Sequence, residues 1–367
     1  MQMESNYPLS KLTTFRIGGE ALWFVEVANE SELVEALNFA KEKSLPILIL
    51  GGGSNVLVSD KGFAGLVIKV SIKGKDIISE NDQEVWLKIG SGEIWDEVVE
   101  FAVAKNYWGL ENLSNIPGFT GGVPVQNVGA YGQESSQIIE TVEASDMKSL
   151  EKKVFSNAEC GFGYRTSKFN TDWKNKYVIL SVTFKLSKNP KPNITYADVK
   201  KYFTDNANPT QTQIRQAIIE IRKNKFPDLA EFGTAGSFFK NLILSEEQYQ
   251  ILEQKVKENF GGSGADKLVQ IKNKFPQVNS IKIPTAFLLD LCGLKGKSVG
   301  SVKLWEKQPL AIVNTGNAKA SDVVELFQQV CQEVRDKTGM ELRAEPEFVG
   351  DFTDVQIGTD LRINPKP

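Results

Sequence analysis

The first hundred residues alternate short apolar runs with an amphipathic stretch. Residues 21–27, 46–50 and 65–70 are rich in β-branched and other apolar side chains, which predicts three strands. Asn29 stands three residues before a glutamate, the spacing of a capping pair, and predicts a helix that runs to about Lys43. The pattern therefore predicts a compact β-α-β unit.

A second cycle of strand and helix follows, and then the chain becomes rich in strands. Residues 85–92 predict a strand and residues 94–106 an amphipathic helix. Further strand patterns lie at 142–147, 152–155 and 177–186. We predict one α+β unit over residues 1–205, in two lobes at about 1–72 and 73–205.

The second half has a different pattern, with longer helices. Asn208 and the proline after it suit a helix start, and the apolar residues that follow share one helical face. Capping signals predict further helices from Ser245 to about Asn259 and from Ser321 to near Gly339, with a loop at 258–266. We predict a second unit over residues 206–350 and a tail, residues 351–367, whose role the sequence does not indicate.

Composition excludes several classes of function. The 367 residues carry 43 basic and 46 acidic side chains, a net charge of −3, whereas nucleic-acid binders usually show a basic excess. No apolar run is long enough to cross a bilayer, so no membrane association is expected. The three cysteines are far apart, which argues against a disulfide framework or a metal site and favours a cytoplasmic location. No protein partner is evident.

The chain contains no histidine. This excludes a Ser-His-Asp triad, histidine metal ligands, and covalent flavin attachment through histidine. If the protein is an enzyme, its proton-transfer groups are Ser, Tyr, Lys, Cys, Asp or Glu, and a cofactor is expected to carry the difficult chemistry.

Residues 116–132, IPGFTGGVPVQNVGAYG, contain five glycines and almost no charge. Such a density of glycine suits a backbone that passes close to a ligand and presents its N–H groups to it. The polar side chains are neutral, which fits a large cofactor with a pyrophosphate and a heteroaromatic ring. A surface loop with tight turns is the alternative.

Residues 51–57, GGGSNVL, follow a predicted strand, as a phosphate-binding loop does. No Gly-Lys-Ser/Thr closes the loop, and a valine stands where a Rossmann motif needs its third glycine. The backbone N–H groups from Gly52 to Asn55 are candidates to hold a pyrophosphate, although a plain turn is equally compatible. Two glycine-rich loops together favour a dinucleotide cofactor bound outside the Rossmann class.

Three further motifs carry candidate chemistry. Arg165 lies among glycines and aromatic residues and can stabilise an oxyanion, unless it forms a surface salt bridge. Ser237, in the turn-like FGTAGSFFKN, can donate a proton to a carbanion or enolate without a histidine, unless it is merely a turn serine. Glu345 and Glu347 flank Pro346 near a strand end, and two solvated carboxylates are the simpler interpretation.

Taken together, these motifs resemble the UDP-N-acetylenolpyruvoylglucosamine reductase family. The likeness runs in order from about residue 8 to residue 350. It includes TFRIGG (14–19), GGGSNVL, the glycine-rich tract, FGYR (162–165), TYADV (195–199), RKNKFPD (222–228), AGSFFKN (235–241) and EPE (345–347).

The resemblance implies a fold and a reaction. The fold is a two-lobed FAD-binding domain of the vanillyl-alcohol-oxidase type, followed by an α+β substrate-binding domain. The reaction passes a hydride from NADPH, by way of non-covalent FAD, to C3 of the enolpyruvyl group of UDP-N-acetylglucosamine enolpyruvate. Protonation at C2 then gives UDP-N-acetylmuramate, a precursor of peptidoglycan.

The resemblance also implies site residues. Ser237 would donate the proton to C2, while Arg165 and a protonated or proton-sharing Glu347 would polarise the substrate carboxylate. The substrate would be bound by Tyr196, which marks the subclass with a tyrosine in its substrate loop, by Lys225 and Asn241, and more weakly by Arg222. The cofactor would be bound by Gly51, Gly52, Gly53, Ser54, Asn55, Pro117, Gly118, Thr120, Gly121, Gly122, Gln126, Asn127, Gly129, Ala130 and Tyr131.

The chain departs from the family pattern in its second half. Family members often have histidine near Trp305, Asn-Pro at Asn241-Leu242 and glutamine at Leu291, so the substrate pocket differs in detail. Two alternatives remain: another FAD-dependent oxidoreductase of the same fold, or an inactive protein that binds a flavin or a nucleotide sugar.

Overall fold

The structure, a computed structural model, describes residues 2–204, 208–275 and 278–353. The chain divides into two compact units that are not contiguous in sequence. Unit 1 comprises Met1–Tyr7, Ala21–Gly53 and Ala64–Asn224, and unit 2 comprises Pro8–Glu20, Ser54–Phe63 and Lys225–Pro367.

The described residues form seven α-helices. They are α1 (Glu30–Glu42), α2 (Trp95–Ala104), α3 (Ala197–Lys200), α4 (Gln211–Lys225), α5 (Glu246–Lys274), α6 (Thr285–Leu291) and α7 (Ala320–Thr338). Helices α1, α4 and α5 follow a residue whose side chain accepts a hydrogen bond from an N–H group of the first turn. Asn29 accepts a hydrogen bond from the N–H of Glu32 at 3.0 Å, so the predicted cap of α1 is confirmed.

The strands are mostly short. In chain order they are β1 (Glu4–Pro8), β2 (Glu20–Val27), β3 (Ile47–Leu50), β4 (Val56–Val58), β5 (Phe63–Val70), β6 (Lys75–Glu80), β7 (Glu84–Gly90), β8 (Gly129–Ala130), β9 (Gln133–Glu134), β10 (Ile139–Asp146), β11 (Lys152–Ser156), β12 (Tyr177–Ser187), β13 (Gly233–Ser237), β14 (Leu242–Leu244), β15 (Ile281–Ile283), β16 (Ser298–Val299), β17 (Val302–Leu304), β18 (Ala311–Asn314) and β19 (Glu347–Val349).

Unit 1 contains two larger sheets. The first has the order β1-β2-β5-β3, with β3 and β5 parallel; the predicted strands and the helix between the first two of them are present as β2, α1, β3 and β5. The second is the antiparallel sheet β11-β10-β12-β7-β6. Helix α1 packs on the first sheet through Leu33 and Leu37, and α2 packs on the second through Trp95 and Val99, all of them buried.

Unit 2 is built on the sheet β13-β18-β17-β16 and on helices α5 and α7. Its core also takes in Phe15, Leu57 and Phe352, which come from both ends of the chain. Strand β4 pairs in parallel with β19, in the register Val56 to Glu347. Segments 8–20 and 54–63 therefore belong to this unit, although the sequence pattern placed them in the first half.

Three features differ from the sequence predictions. Unit 1 extends to Asn224, past the predicted boundary near residue 205, because α4 buries Ile214 and Ile218 in a cluster with Trp108 of that unit. The division of the chain into functional domains stays a prediction. The predicted loop at 258–266 is too long: two helical segments of α5 meet at a kink at Gly261, which has φ of +67° and is the one non-helical residue there.

The third difference concerns the predicted tail, residues 351–367. Phe352 is buried in the core of unit 2, and the Lys61 ammonium lies 3.4 Å from the Asp351 carboxylate. Residues 351–353 therefore belong to the fold. Residues 354–367 lie outside the described part of the chain.

Candidate functional site

The two glycine-rich loops meet in unit 1. Gly51 and Gly52 directly follow β3, and a Cβ atom built at Gly52 would lie 2.8 Å from the Cα atom of Gly118. Such an approach leaves no room for a side chain, so the glycine at this position is required by the packing of one backbone on the other. Two segments that are distant in sequence thus present their backbones side by side.

The glycine-rich tract is anchored at several backbone groups. Gly118 accepts a hydrogen bond from the N–H of Trp95 at 3.0 Å, and Gly121 donates one to Ser91 at 2.8 Å. Thr120 is fully buried, and both its N–H and its hydroxyl donate to the carbonyl of Glu93. The Thr120 side chain therefore supports the loop.

Gly122 is exposed, and a Cβ atom there would meet nothing within 4 Å. This is open space beside an anchored backbone, the kind of cradle into which a ligand fits. Other candidate residues of the tract, Pro117, Gln126, Gly129 and Ala130, are half-buried. The close approach at Gly52 and the open space at Gly122 together fit a large cofactor held by backbone groups.

Asn127 is buried and organises the tract from within. Its amide nitrogen donates at 3.0 Å to the Glu134 carboxylate and at 3.0 Å to the Gly163 carbonyl. Its amide oxygen accepts from the Ser135 hydroxyl at 3.2 Å and from the Ser136 N–H at 2.9 Å. With four bonds inside the protein, this side chain positions the loop, which leaves the backbone of Asn127 as the candidate for cofactor contact.

Tyr131 and Tyr196 lie edge to face, with ring centroids 5.4 Å apart and planes at 82°. Burial raises the pKa of Tyr131 to about 12, so its hydroxyl is protonated at neutral pH. The structure thus brings a candidate of the cofactor loop against the candidate tyrosine of the substrate loop.

Asn112 joins the same two segments, and sequence reasoning missed it. This buried amide donates to the Tyr131 carbonyl at 2.8 Å and to the Asn193 carbonyl at 2.9 Å. Asn193 in turn donates to the carbonyl of Gly132 at 3.0 Å. A lone asparagine in a short turn carries no sequence signal for this role, because both partners are remote in sequence.

Arg165 lies on a loop with left-handed backbone, at φ of +52°. Its guanidinium donates to the Gly129 carbonyl at 2.7 Å and lies 5.4 Å from the ring centroid of Tyr164. A non-glycine residue with positive φ stores strain, which is found where a side chain must be aimed. The loop therefore points Arg165 at the cofactor tract.

An aromatic cluster holds the loop of Arg165. Phe155, Phe169, Trp173 and Tyr177 pack against one another, with centroid distances from 4.3 to 5.9 Å. Ser167 adds a short capping box, and its hydroxyl donates to the Val125 carbonyl at 2.7 Å. These contacts support the strained conformation beside them.

Arg222 contacts both ends of the glycine-rich tract. Its Nε donates to the Asn115 carbonyl at 2.9 Å, and its positive charge lowers the pKa of the Tyr131 hydroxyl, although burial raises that pKa more. Burial lowers the pKa of Arg222, opposed by Tyr131 and Asp96. The structure thus groups this candidate substrate ligand with the cofactor loop.

In unit 2, Ser237 lies at the end of β13, where a β-bulge interrupts the pairing with β18. Thr234 pairs with Val313 and Ser237 with Ala311, so the bulged strand has one extra residue. Gly236, inside the bulge, has φ of +75°, and a Cβ there would meet nothing within 4 Å. A bulge re-aims the side chain that follows it, and Ser237 is half-buried at this point.

Glu347 begins β19 and is exposed. Its N–H donates to the carbonyl of Asn55 at 3.0 Å, and the Asn55 amide lies 3.5 Å from the carbonyl of Glu345. The predicted position near a strand end is confirmed, and Pro346 between the two glutamates is buried. The structure brings Asn55, from the GGGSN loop, together with the EPE segment.

The remaining candidates of unit 2 are Ser54, Lys225 and Asn241, all half-buried. The Asn241 amide oxygen accepts from the N–H of Thr285 at 3.1 Å, which ties it to the start of α6. Trp305 packs on Phe232 with centroids 5.3 Å apart, and its indole N–H has no acceptor among the described residues.

Two kinds of feature are absent from residues 2–204, 208–275 and 278–353. No group of three or more carboxylates and thiols there is placed to hold a metal ion. None of the helices in those ranges combines the length and the apolar character needed to cross a membrane.

Comparison with known proteins defines first a class and then a family. Residues 21–148 match the family described as FAD binding domain, so the chain is a flavoprotein with an α+β fold. Residues 228–349 match the family described as UDP-N-acetylenolpyruvoylglucosamine reductase, C-terminal domain. The chain belongs to the UDP-N-acetylenolpyruvoylglucosamine reductase family, as its near-full-length relatives show.

Two curated relatives carry that name. The one from Bdellovibrio bacteriovorus is 39% identical over 94% of this chain and 99% of its own, and the one from Flavobacterium johnsoniae is 37% identical over 95% of this chain and 100% of its own. The solved reductase from Thermus caldophilus has the same fold, with a TM-score of 0.64 and 24% identity over 95% of this chain and 98% of its own.

Proposed function

We propose that this protein reduces the enolpyruvyl group of UDP-N-acetylglucosamine enolpyruvate to give UDP-N-acetylmuramate, with NADPH as the hydride donor. The observation that carries the proposal is the bulged end of β13, which re-aims Ser237 beside a glycine in open space. A proton donor for a carbanion needs this kind of aimed, half-buried hydroxyl in a protein without histidine.

Ser237 is the proposed acid. Its hydroxyl gives its proton to C2 of the substrate after a hydride has reached C3, so the new C–H bond takes the electron pair of the enolate. A serine hydroxyl is a weak acid, but an enolate carbon is a strong base, and the transfer runs downhill.

Arg165 and Glu347 are the proposed electrophilic groups. The Arg165 guanidinium offers several N–H donors in a fixed plane to the substrate carboxylate, where negative charge builds up as the hydride arrives. Glu347 contributes only if it shares or holds a proton. Glu347 is exposed in the structure, so its carboxyl group is open to a bound substrate.

When bound, FAD would supply the hydride-transfer chemistry. The residues proposed to hold it are the backbone groups of the two converging loops, Gly51 to Asn55 and Pro117 to Tyr131. Tyr196, Lys225 and Asn241 are proposed to bind the UDP-sugar, with the lysine supplying charge to the diphosphate. We further propose a cytoplasmic location, in keeping with three free cysteines of which Cys160 and Cys292 are buried.

Anaerobic absorbance of the purified holoenzyme near 450 nm, a general flavin band, tests the function. Added NADPH should bleach the band, and UDP-N-acetylglucosamine enolpyruvate, added second, should restore it with formation of one equivalent of UDP-N-acetylmuramate. NADH in place of NADPH tests the donor preference.

Each alternative function has its own outcome in this experiment. Bleaching without recovery would indicate another FAD-dependent oxidoreductase of this fold. A protein that binds FAD and UDP-N-acetylglucosamine yet is not bleached would be an inactive binding protein. Recovery with UDP-N-acetylglucosamine alone, which lacks the reducible group, would contradict the proposed substrate.

A further inference from the structure

Helix α4 lies between the two family matches, which end at residue 148 and resume at residue 228. Two arginines on it, Arg215 and Arg222, are seven residues apart and so lie on the same face, two turns from each other. The buried Ile214, Ile218 and Ile221 hold this helix in unit 1. Arg215 and Arg222 therefore extend from a helix whose position is fixed by packing.

Both arginines converge on the peptide of Asn115. Arg215 forms a two-pronged ion pair with Asp96, at 2.6 and 3.0 Å, and Asp96 accepts a hydrogen bond from the N–H of Asn115. Arg222 donates at 2.9 Å to the carbonyl of Asn115. The residue before the glycine-rich tract is thus held at both of its backbone polar groups.

Asn115 and Tyr131 bracket the tract, and both have left-handed backbone, with φ of +58° and +48°. The positive charge of the guanidinium that holds the Asn115 carbonyl also acts on the Tyr131 hydroxyl, whose pKa it lowers against the larger effect of burial. One half-buried side chain therefore interacts with both the start and the end of a segment rich in glycine. Glycine-rich backbone has many accessible conformations, and fixing both ends removes most of them.

We propose that Arg222 is a positioning residue for FAD: it clamps the two ends of the glycine-rich tract and so preorganises the backbone that binds the cofactor. The proposal rests on FAD binding by this family and not on the substrate or reaction proposed above. It replaces the expectation that Arg222 contacts the UDP-sugar. If Arg222 contacts only the sugar, changing it should not affect FAD binding in the protein without substrate. If Arg222 clamps the loop, changing it should weaken FAD binding even without substrate.

The test is the rate of FAD release from holoenzyme without substrate. FAD fluorescence rises when the cofactor leaves the protein, so dilution of the holoenzyme gives the rate directly. Arg222→Lys keeps the charge but lacks the planar fork that reaches two acceptors. We expect at least tenfold faster release for Arg222→Lys, and faster hydrogen exchange in peptides that cover residues 115–131.

Two further variants keep the test decisive. Lys223→Ala changes an exposed residue on the same helix and should leave FAD release within twofold of the original protein. Tyr131→Phe removes one of the two clamped groups with little change of volume and should speed release about threefold, even if Arg222→Lys folds poorly.

The proposal predicts that these effects appear at a temperature well below the unfolding midpoint of each variant. Unchanged FAD release in Arg222→Lys and Tyr131→Phe would overturn it. Unchanged release together with a raised KM for UDP-N-acetylglucosamine enolpyruvate would assign Arg222 to the substrate instead. An original protein that binds FAD but does not reduce UDP-N-acetylglucosamine enolpyruvate would count against the proposed function only, because the FAD-release comparison between the original protein and its variants needs no substrate.

Discussion

The N–H of Glu347 donates a hydrogen bond of 3.0 Å to the carbonyl of Asn55. It begins the parallel pairing of β4 with β19, so the loop that follows Gly53 and the segment that carries the candidate carboxylate form one rigid element. A change at either residue is therefore expected to affect the placement of the other.

Ser237→Ala should separate the two halves of the proposed reaction. The variant keeps its FAD and should be bleached by NADPH at a rate within about twofold of the original protein. Recovery of absorbance with the enolpyruvate substrate should slow by roughly 10²- to 10⁴-fold, because the proton donor is absent. Stopped-flow absorbance measures both steps, and Ser245→Ala, which removes only the cap of α5, is the control. Equal recovery rates in all three proteins would remove Ser237 from the mechanism.

Gly52→Ala should damage the cofactor site through packing. The new Cβ would lie 2.8 Å from the Cα atom of Gly118, a backbone atom that cannot turn aside. We expect a loss of about 1 to 3 kcal/mol in unfolding free energy and a lower FAD content after purification. Gly262→Ala is the matched control, since nothing lies within 4 Å of its Cβ position. A Gly52→Ala protein with full FAD content and unchanged denaturant midpoint would contradict the close approach of the two loops.

Asp96→Asn should lower stability in a pH-dependent way. Burial acts to raise the pKa of Asp96, but the Arg215 guanidinium and the Asn115 N–H outweigh it and hold that pKa below its usual value. A lowered pKa in the folded protein contributes stability that is present above the unfolded pKa, about 3.9, and is lost as the pH falls through the folded value. We expect the variant to be about 2 kcal/mol less stable at pH 7 and the gap to narrow below about pH 4. Urea unfolding from pH 7 to pH 3 measures it, and a gap that stays constant would show that Asp96 acts through shape alone.

Phe352→Ala tests whether residues after 350 belong to the fold. Phe352 is only 5% exposed and packs on Phe348, with ring centroids 5.3 Å apart. Removing a buried phenylalanine side chain should lower the unfolding free energy by about 3 kcal/mol. The exposed neighbour provides the comparison, because Thr353→Ala should change stability by less than about 0.5 kcal/mol. Similar unfolding curves for the two variants would show that residues 351–353 do not contribute to the stability of the fold.

Local features of the fold were predictable because they depend on neighbours in sequence. The cap at Asn29, the capping box at Ser245 and the buried face of α7 with Val323 and Phe327 follow from spacing alone and appear in the structure. The glycine-rich loops were also recognisable, since glycine at such density has few other uses. Their convergence at Gly52 follows from no local rule, although their chemistry suggested a common ligand.

Long-range relationships were not predictable from periodicity. The sequence gives no sign that Arg222 reaches Asn115 or that β4 pairs with β19, because both depend on packing between distant segments. In helix α5 a local signal was misleading. Three glycines near residue 262 suggested a loop, but Leu268 packs in the core and stabilises the helix, so that only a kink at Gly261 remains.

The pairing of β4 with β19 also has a consequence for biosynthesis. Asn55 leaves the ribosome about 290 residues before Glu345, its hydrogen-bond partner. Translation adds roughly 5 to 20 residues per second, so β4 remains without its partner strand β19 for on the order of 15 to 60 s. Unit 1 can fold while translation continues. Segments 8–20 and 54–63 belong to unit 2, so they cannot complete their packing until β19 has been synthesised. A nascent chain stalled before β19 would therefore carry an open strand edge, which makes it a natural client for chaperones.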